Sequence, residues 1–410
     1  MTVLTAPPVA DATAPIDVRA LMRSLTQEQL LAAAEAYFAT IQDPTFHLSK
    51  PFANVDDCPT HLVNFARLLR DGHFLRGHRV LEFGAGSCWA GRLLNQLGMA
   101  VTSLDVSRSA LALGERLKRE RPVYGRQPEH AFLLYDGVRI GLPDRSMDRV
   151  FCFDAFHHVA NPEQTLRELA RVLDDGGVAA FCEPGPLHSH TAESQREMRQ
   201  YTVIENDVVI EDIWQAAQAA GFSDIYFSLQ TESPVRLGYP EFLAFRERGF
   251  DEPLADSLQS HIVQRNRDAT MFYLIKGAAG RADSRRRDGL VGDLRLDQVQ
   301  RVVGLAGMEH LKITLEVRNL SDATWLRSGG GHGCVNLGVQ LMSEQEQPVN
   351  PNYARHWFLK RDLLPGEAVT ASFDVPVPAR TDACALRIDL VSESVCWFAQ
   401  NGSRTERIPL

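Results

Sequence analysis

The residues of this chain best suited to chemistry fall into two groups. The first is the run Arg79-Val80-Leu81-Glu82-Phe83-Gly84-Ala85-Gly86-Ser87-Cys88, which is apolar until it reaches two glycines one residue apart. Gly84 and Gly86 let the backbone turn tightly and approach a ligand that a Cβ would keep away. Glu82 lies two residues before the first glycine, and Asp105 follows 19 residues after the second. A carboxylate about 20 residues beyond such a turn is placed to accept from ribose hydroxyls. Ser87-Cys88 fills the position where a dinucleotide fingerprint has its third glycine. The second group is His157, His158, Glu183 and His188. An imidazole titrates near neutrality, so each histidine is a candidate base, as is the carboxylate of Glu183. These residues lack a tight ligand spacing, and no metal site is expected from them.

Positioning these groups requires a sheet. Apolar runs at 78–83, 100–105, 130–134, 149–153, 178–183, 224–229 and 269–276 alternate with helical stretches at 88–97, 108–119, 162–173 and 211–220. The stretch 162–173 has strong terminal chemistry: Asn161 as N-cap, Pro162 at the first helical position, Gln164 at N3, and Gly176-Gly177 beyond its end. Strands alternating with helices of this length predict an α/β fold: a doubly wound, mostly parallel, seven-stranded sheet with helices on both faces. Asp105 would then end the second strand, and the histidines and Glu183 would lie at the strand C-termini, where an open α/β sheet binds its ligands.

In this context the run 79–88 resembles motif I of class I (Rossmann-like) S-adenosylmethionine-dependent methyltransferases, with Glu82 in place of the commoner Asp. The resemblance continues through Tyr135-Asp136-Gly137, through 142–148, through Phe153-Asp154-Ala155-Phe156-His157-His158-Val159, and through the helix and glycine turn at 166–177. It spans residues 78–278 and implies S-adenosylmethionine as cofactor. It implies Glu82, Gly84, Ala85 and Gly86 around the methionine and sugar, and Asp105 and Val106 at the ribose. Asp136 and Gly137 would face the adenine, and Asp154 would complete the pocket. An acid near the sulfonium suits a cation better than a phosphate. Several of these residues also have plain structural readings, Asp105 as a helix cap and Asp148 as a turn group entering a strand.

Outside that span, residues 1–17 read as a flexible tail and 18–77 as an N-terminal helical segment. A helix is expected at 26–40, with Thr26 and Gln29 at capping-box spacing, and another at 60–71. This helix and Lys50-Pro51-Phe52 are candidates for a lid over the cofactor. Residues 279–289 read as an arginine-rich linker. From 290 to 410 the helical period disappears. Alternating runs at 311–319, 335–343, 368–375 and 385–391, separated by turns such as Leu364-Pro365-Gly366-Glu367, predict an antiparallel β-sandwich. The segments 315–325, 364–367 and 390–398 look like the immunoglobulin-like β-domains appended to bacterial glycan-biosynthesis enzymes. That resemblance implies a binding or assembly module for a glycan or a protein, including another copy of the chain. Trp325, Trp357 and Trp397 are candidates either for stacking on sugar rings or for the core.

Composition narrows the rest. The net charge of −9 opposes bulk attraction to nucleic acid. No apolar run approaches the ~20 residues that span a bilayer, and the first 15 residues lack the pattern of a signal peptide. The seven cysteines form no CxxC pair, which suggests free thiols and a cytoplasmic protein. The expected activity is methyl transfer to a hydroxyl of a sugar or surface-glycan precursor in bacterial polysaccharide biosynthesis. The alternatives are a methyltransferase for a soluble small molecule or natural product that uses its β-domain for oligomerisation, and a non-catalytic binding protein of the same fold.

Overall fold

The alternation of apolar runs with amphipathic stretches builds one seven-stranded sheet in a computed structural model that describes residues 14–125, 127–231, 235–277, 283–303, 308–378 and 383–410. The chain divides into two units, Met1–Gly280 and Arg281–Leu410.

In the first unit, α1 (Val18–Ser24), α2 (Gln27–Ala39), α3 (Thr45–Ser49) and α4 (Cys58–Asp71) precede the sheet. The capping box forms at α2: Gln29 N–H donates to Thr26 Oγ1 at 3.2 Å, and Thr26 N–H to Gln29 Oε1 at 2.8 Å. The strands are β1 (Arg79–Phe83), β2 (Ala100–Asp105), β3 (His130–Leu134), β4 (Met147–Phe153), β5 (Leu173–Pro184), β6 (Phe222–Phe227) and β7 (Ala269–Lys276). Between them run α5 (Trp89–Gln96), α6 (Arg108–Glu120), α7 (Pro162–Val172), α8 (Ala192–Tyr201), α9 (Ile210–Ala220), α10 (Tyr239–Arg248) and α11 (Glu252–Asp268). The strand order is β3-β2-β1-β4-β5-β7-β6. Every pairing is parallel except those of β7, which runs antiparallel to β5 and β6.

Both faces of the sheet are covered, and the two-residue period of the strands sorts side chains between them. Leu81, Val150 and Cys152 join Leu166 and Leu169 of α7 and Ile213 of α9 on one side. Val80 and Phe151 join Phe65 and Leu68 of α4 and Leu94 of α5 on the other. Because β1 lies between β2 and β4, the strand order reverses there. The loops after β1 and β4 therefore flank a topological switch point, the usual ligand crevice of such a sheet.

The second unit contains β8 (Gly292–Val303), β9 (Glu309–Asn319), β10 (Val335–Met342), β11 (Pro348–His356), β12 (Ala368–Pro376), β13 (Ala385–Ser392), β14 (Cys396–Trp397) and β15 (Glu406–Pro409). They form two antiparallel sheets: β12-β9-β8, and β11-β10-β13-β14 with β15 added on β13. Ile313 and Leu315 of β9, Leu337 and Val339 of β10, and Ile388 of β13 share one core with Trp325 and Phe398. Trp325 is fully buried, and its indole N–H donates to Ser321 Oγ at 2.9 Å. Trp397 is half-buried under the Arg355 guanidinium, 4.5 Å from the ring centre. Trp357 alone of the three candidate stacking rings is exposed, at 71%.

Part of the expected linker is packed. Ser284 is fully buried and donates from its hydroxyl to Gly333 O at 2.6 Å, while Arg286 pairs with Asp322. Residues 278–282, where the rest of that segment falls, lie outside the described residues. So does the expected tail up to residue 13.

Candidate active site

The glycine turn after β1 owes its shape to its neighbours. Gly84 and Gly86 have φ of 66° and 51°, and a Cβ on Gly84 would collide with Ala155 after β4. The two loops at the switch point can pack this closely only because position 84 has no side chain. Ala85 is buried, and Cys88, also at positive φ, opens α5.

Asp105 ties this turn to the end of β2. Its Oδ2 accepts from Gly86 N–H at 2.7 Å and its Oδ1 from Ser107 N–H at 2.9 Å. Burial raises its pKa, against the pull of these amide bonds. Glu82 lies deeper, 3% exposed, with Oε1 accepting from Gly91 N–H at 2.7 Å and Oε2 from the Ser103 hydroxyl. A Cβ on Gly91 would run into that carboxylate. Burial pushes Glu82 up to about 7; the bonds from Ser103 and Gly91 oppose the rise and the Asp105 charge adds to it. Glu82 thus supports the turn from below, with both oxygens engaged inside the protein.

At the β3 end, Asp136 Oδ1 accepts from the N–H groups of Val138 and Arg139 at 2.8 and 2.7 Å, closing a turn around Gly137. Val106 is half-buried and Asp154, at φ 54°, is exposed. These residues suit an adenosine with a cationic sulfur. The turn lacks side-chain bulk at Gly84 and Gly86, a buried carboxylate ends β2, and Asp154 adds negative charge at the edge.

Helix α2 lies over all three places. Gln27 packs against Gly137, and Phe38 would lie 3.7 Å from a Cβ on Gly86. Between them Glu35 accepts from the hydroxyls of Ser107 (2.7 Å) and Ser109 (2.6 Å) and from Ser109 N–H (3.2 Å). Its carboxylate thereby caps the N-terminus of α6, where unpaired amides and the helix dipole favour negative charge. Phe52, from the other candidate lid segment, is 65% exposed.

The second group converges after β4 and β5. Glu183, 1% exposed, accepts at Oε1 from the N–H groups of Ala155 (3.1 Å) and Phe156 (2.9 Å). Its Oε2 lies 2.8 Å from His157 Nδ1. With no exposed surface to offer an acceptor, Glu183 sets the short helical turn Phe156–His158 and the orientation of the His157 ring. Burial works against charge on His157, but the bond to Glu183 and the charges of Glu183, Asp154 and Glu205 prevail and raise its pKa to about 9. His158 Nδ1 donates to Ile204 O at 2.6 Å. His188 Nε2 lies 2.7 Å from Glu205 Oε2. Burial raises the Glu205 carboxyl, yet the bond to His188 and the surrounding imidazoles hold it below the usual range.

The middle of the first unit is similar to known proteins. Residues 81–181 match the family described as "Methyltransferase domain". The methyltransferase GfsG of Streptomyces halstedii is 31% identical over 112 residues, which is 26% of this chain and 38% of that protein. The demethylmenaquinone methyltransferase of Renibacterium salmoninarum is 30% identical over 135 residues, 32% of this chain and 52% of that protein. The chain thus spans about half or less of these relatives' lengths. Among solved structures, phosphoethanolamine N-methyltransferase 2 of Haemonchus contortus, bound to S-adenosyl-L-methionine, aligns with a TM-score of 0.40 at 20% identity, covering 64% of this chain and 60% of that one. The matched segment and the two curated relatives are alike in being methyltransferases over this stretch of the chain.

The match at 81–181 contains the glycine turn, Asp105, Asp136, Asp154 and the two adjacent histidines. Glu183, His188 and Glu205 lie beyond it. Sequence reasoning missed Glu35 as a member of the site, while the polar and aromatic segment 193–209, which holds Glu205, reads equally as an acceptor-binding stretch or a solvated helix. Glu35 stands alone among the apolar residues of α2, and its partners Ser107 and Ser109 lie more than seventy positions along the chain.

Proposed function

We propose that the chain transfers a methyl group from S-adenosylmethionine to a hydroxyl of a sugar or glycan precursor. The carrying observation is the His188–Glu205 pair at the strand edge that also carries the glycine turn and Asp105. Bound there, S-adenosylmethionine supplies a methyl on a cationic sulfur, which an acceptor oxygen takes while the carbon–sulfur electron pair stays on sulfur. The Gly84–Gly86 turn and Asp105 hold the methionine and ribose, and the segments around Asp136 and Gly137 hold the base. Helix α2, with Phe38 and Glu35, acts as the lid that keeps water out. A hydroxyl acceptor must lose a proton, and the half-buried His188 takes it, with Glu205 orienting the ring and balancing its charge. Glu183 positions His157 beside them.

The exposed Trp357 favours a sugar-bearing acceptor or glycan partner for the second unit, read as an immunoglobulin-like sandwich. The test incubates the purified chain and S-adenosylmethionine with sugars, glycan precursors and hydroxylated natural products. Release of S-adenosylhomocysteine together with a methylated sugar supports the reading. Turnover only on non-sugar acceptors would replace the substrate class. Cofactor binding without any product would indicate a binding protein.

A further inference from the structure

His157, His188 and Glu205 reach one spot from three stretches: the turn after β4, the turn His188–His190 after β5, and the run after α8. One ring nitrogen from each histidine and one carboxylate oxygen of Glu205 all lie within 4.8 Å of one another. Around Glu205 Oε2, His188 Nε2 is at 2.7 Å and His157 Nε2 at 3.8 Å.

Three features distinguish this cluster from an ordinary His–Glu hydrogen bond. The second imidazole makes no hydrogen bond to Glu205, but its Nε2 faces the same oxygen at ion-pair distance, and a cation there would take the place of its proton. Its opposite nitrogen is held by Glu183, whose carboxylate is fully buried. Metal-bound histidines typically pass their second nitrogen to a carboxylate or carbonyl in this way, which fixes both ring and tautomer. Finally, Glu205 Oε1 is buried without a hydrogen bond among the described residues, although His158 Nδ1 is 3.5 Å away. A buried carboxylate oxygen in this state gains from a nearby cation, or from a proton shared with the neighbouring Glu197 carboxyl.

We propose that His157, His188 and Glu205 form a binding site for one divalent transition-metal cation. Two imidazoles and one carboxylate select zinc, cobalt, manganese or iron over magnesium or calcium, which prefer oxygen ligands. Three protein ligands leave a coordination position open, and His188, with 20% of its side chain exposed against 4% for the other two, marks the open side. This inference rests on the reading of the cluster as the acceptor end of the site. With the cation in place, His188 would be a ligand and no longer the base, and a hydroxyl acceptor bound to the cation would give its proton to solvent water on the open side more readily than a free hydroxyl does.

The test titrates the full-length, chelator-treated protein with cobalt(II) alone, following visible absorption and, by equilibrium dialysis, stoichiometry. One equivalent should bind, and zinc(II) should displace it. His188→Ala and Glu205→Gln should each weaken binding by roughly tenfold or more, and Glu183→Gln, acting through His157, by about tenfold. His190→Ala, which removes an exposed neighbouring imidazole, should change nothing. Absence of a bound equivalent, or binding that survives both ligand substitutions, overturns the proposal. Calorimetric titration of each variant with S-adenosylhomocysteine, without metal, checks folding. It also separates the two readings: cofactor binding with no metal site removes only the metal, whereas a metal site without cofactor binding removes the methyltransferase reading instead.

Discussion

Two buried carboxylates under the glycine turn do different work, and each can be tested alone. Glu82 is held at a pKa of about 7, above its ordinary 4.5, because burial penalises its charge. The folded state therefore keeps this proton when the unfolded chain has released it. The associated stability is complete below about pH 4.5 and is lost as the pH rises through about 7. Over that window the loss is on the order of 3 kcal/mol. In Glu82→Gln the amide oxygen can still accept from Gly91 and its NH2 can face Ser103, with no charge to bury. Denaturant unfolding at about pH 5 and 8 should show the wild type losing stability and the variant losing clearly less; equal losses would rule out a titrating Glu82. Asp105, by contrast, faces the turn itself. Asp105→Asn removes the charge and sets an NH2 against either the Gly86 or the Ser107 amide. Calorimetry should show S-adenosylhomocysteine binding weakened by about 1.5–3 kcal/mol, the range for hydrogen bonds to charged groups. Undiminished affinity would place the ribose elsewhere.

Helix α2 packs over the glycine turn and the turn after β3, and Glu35 is its clasp. The Ser107 and Ser109 bonds hold that carboxyl below its usual pKa even though burial alone would raise it. Glu35→Ala leaves the end of α6 without this cap, at a cost of about 1 kcal/mol, and frees α2 to swing off the crevice. Stopped-flow measurement should show faster S-adenosylhomocysteine release, with circular dichroism unchanged. An unaltered release rate would mean that α2 is fixed scaffold. The capping box that starts α2, the seven strands and the glycine turn are all legible in the sequence, because each is a local pattern: a spacing of three, an apolar run, two glycines. The docking of α2 is not local, since Glu35 meets residues more than seventy positions away. Glu205 was half legible: the segment 193–209 suits an acceptor or a solvated helix equally, and only the fold brings it against His188 and His157. Helices α10 and α11 bury no residue fully, so no clear apolar stripe marked them. Strand β8 went unread because its second half is exposed on every residue.

Among the described residues, each large apolar cluster belongs to one unit. The clusters around the seven-stranded sheet draw only on residues before position 277, and the cluster of the two antiparallel sheets only on residues from Leu290 onward. Packing energy is exchanged through such contacts, so damage to one core should stay in its own unit. Trp325 is the sharpest probe of this. It is fully buried, meets Phe398 edge-on at 5.1 Å and spends its indole N–H on Ser321. Trp325→Ala removes that contact area and leaves a cavity, at a cost of about 3–5 kcal/mol, which is a large fraction of what a single domain has to lose. Differential scanning calorimetry should show one transition moved to lower temperature and a second unmoved, with S-adenosylhomocysteine still raising only the second. Its affinity should match the wild type at temperatures where the damaged unit has already unfolded. If affinity fell in step with the first transition, binding of S-adenosylhomocysteine could not be assigned to the first unit alone.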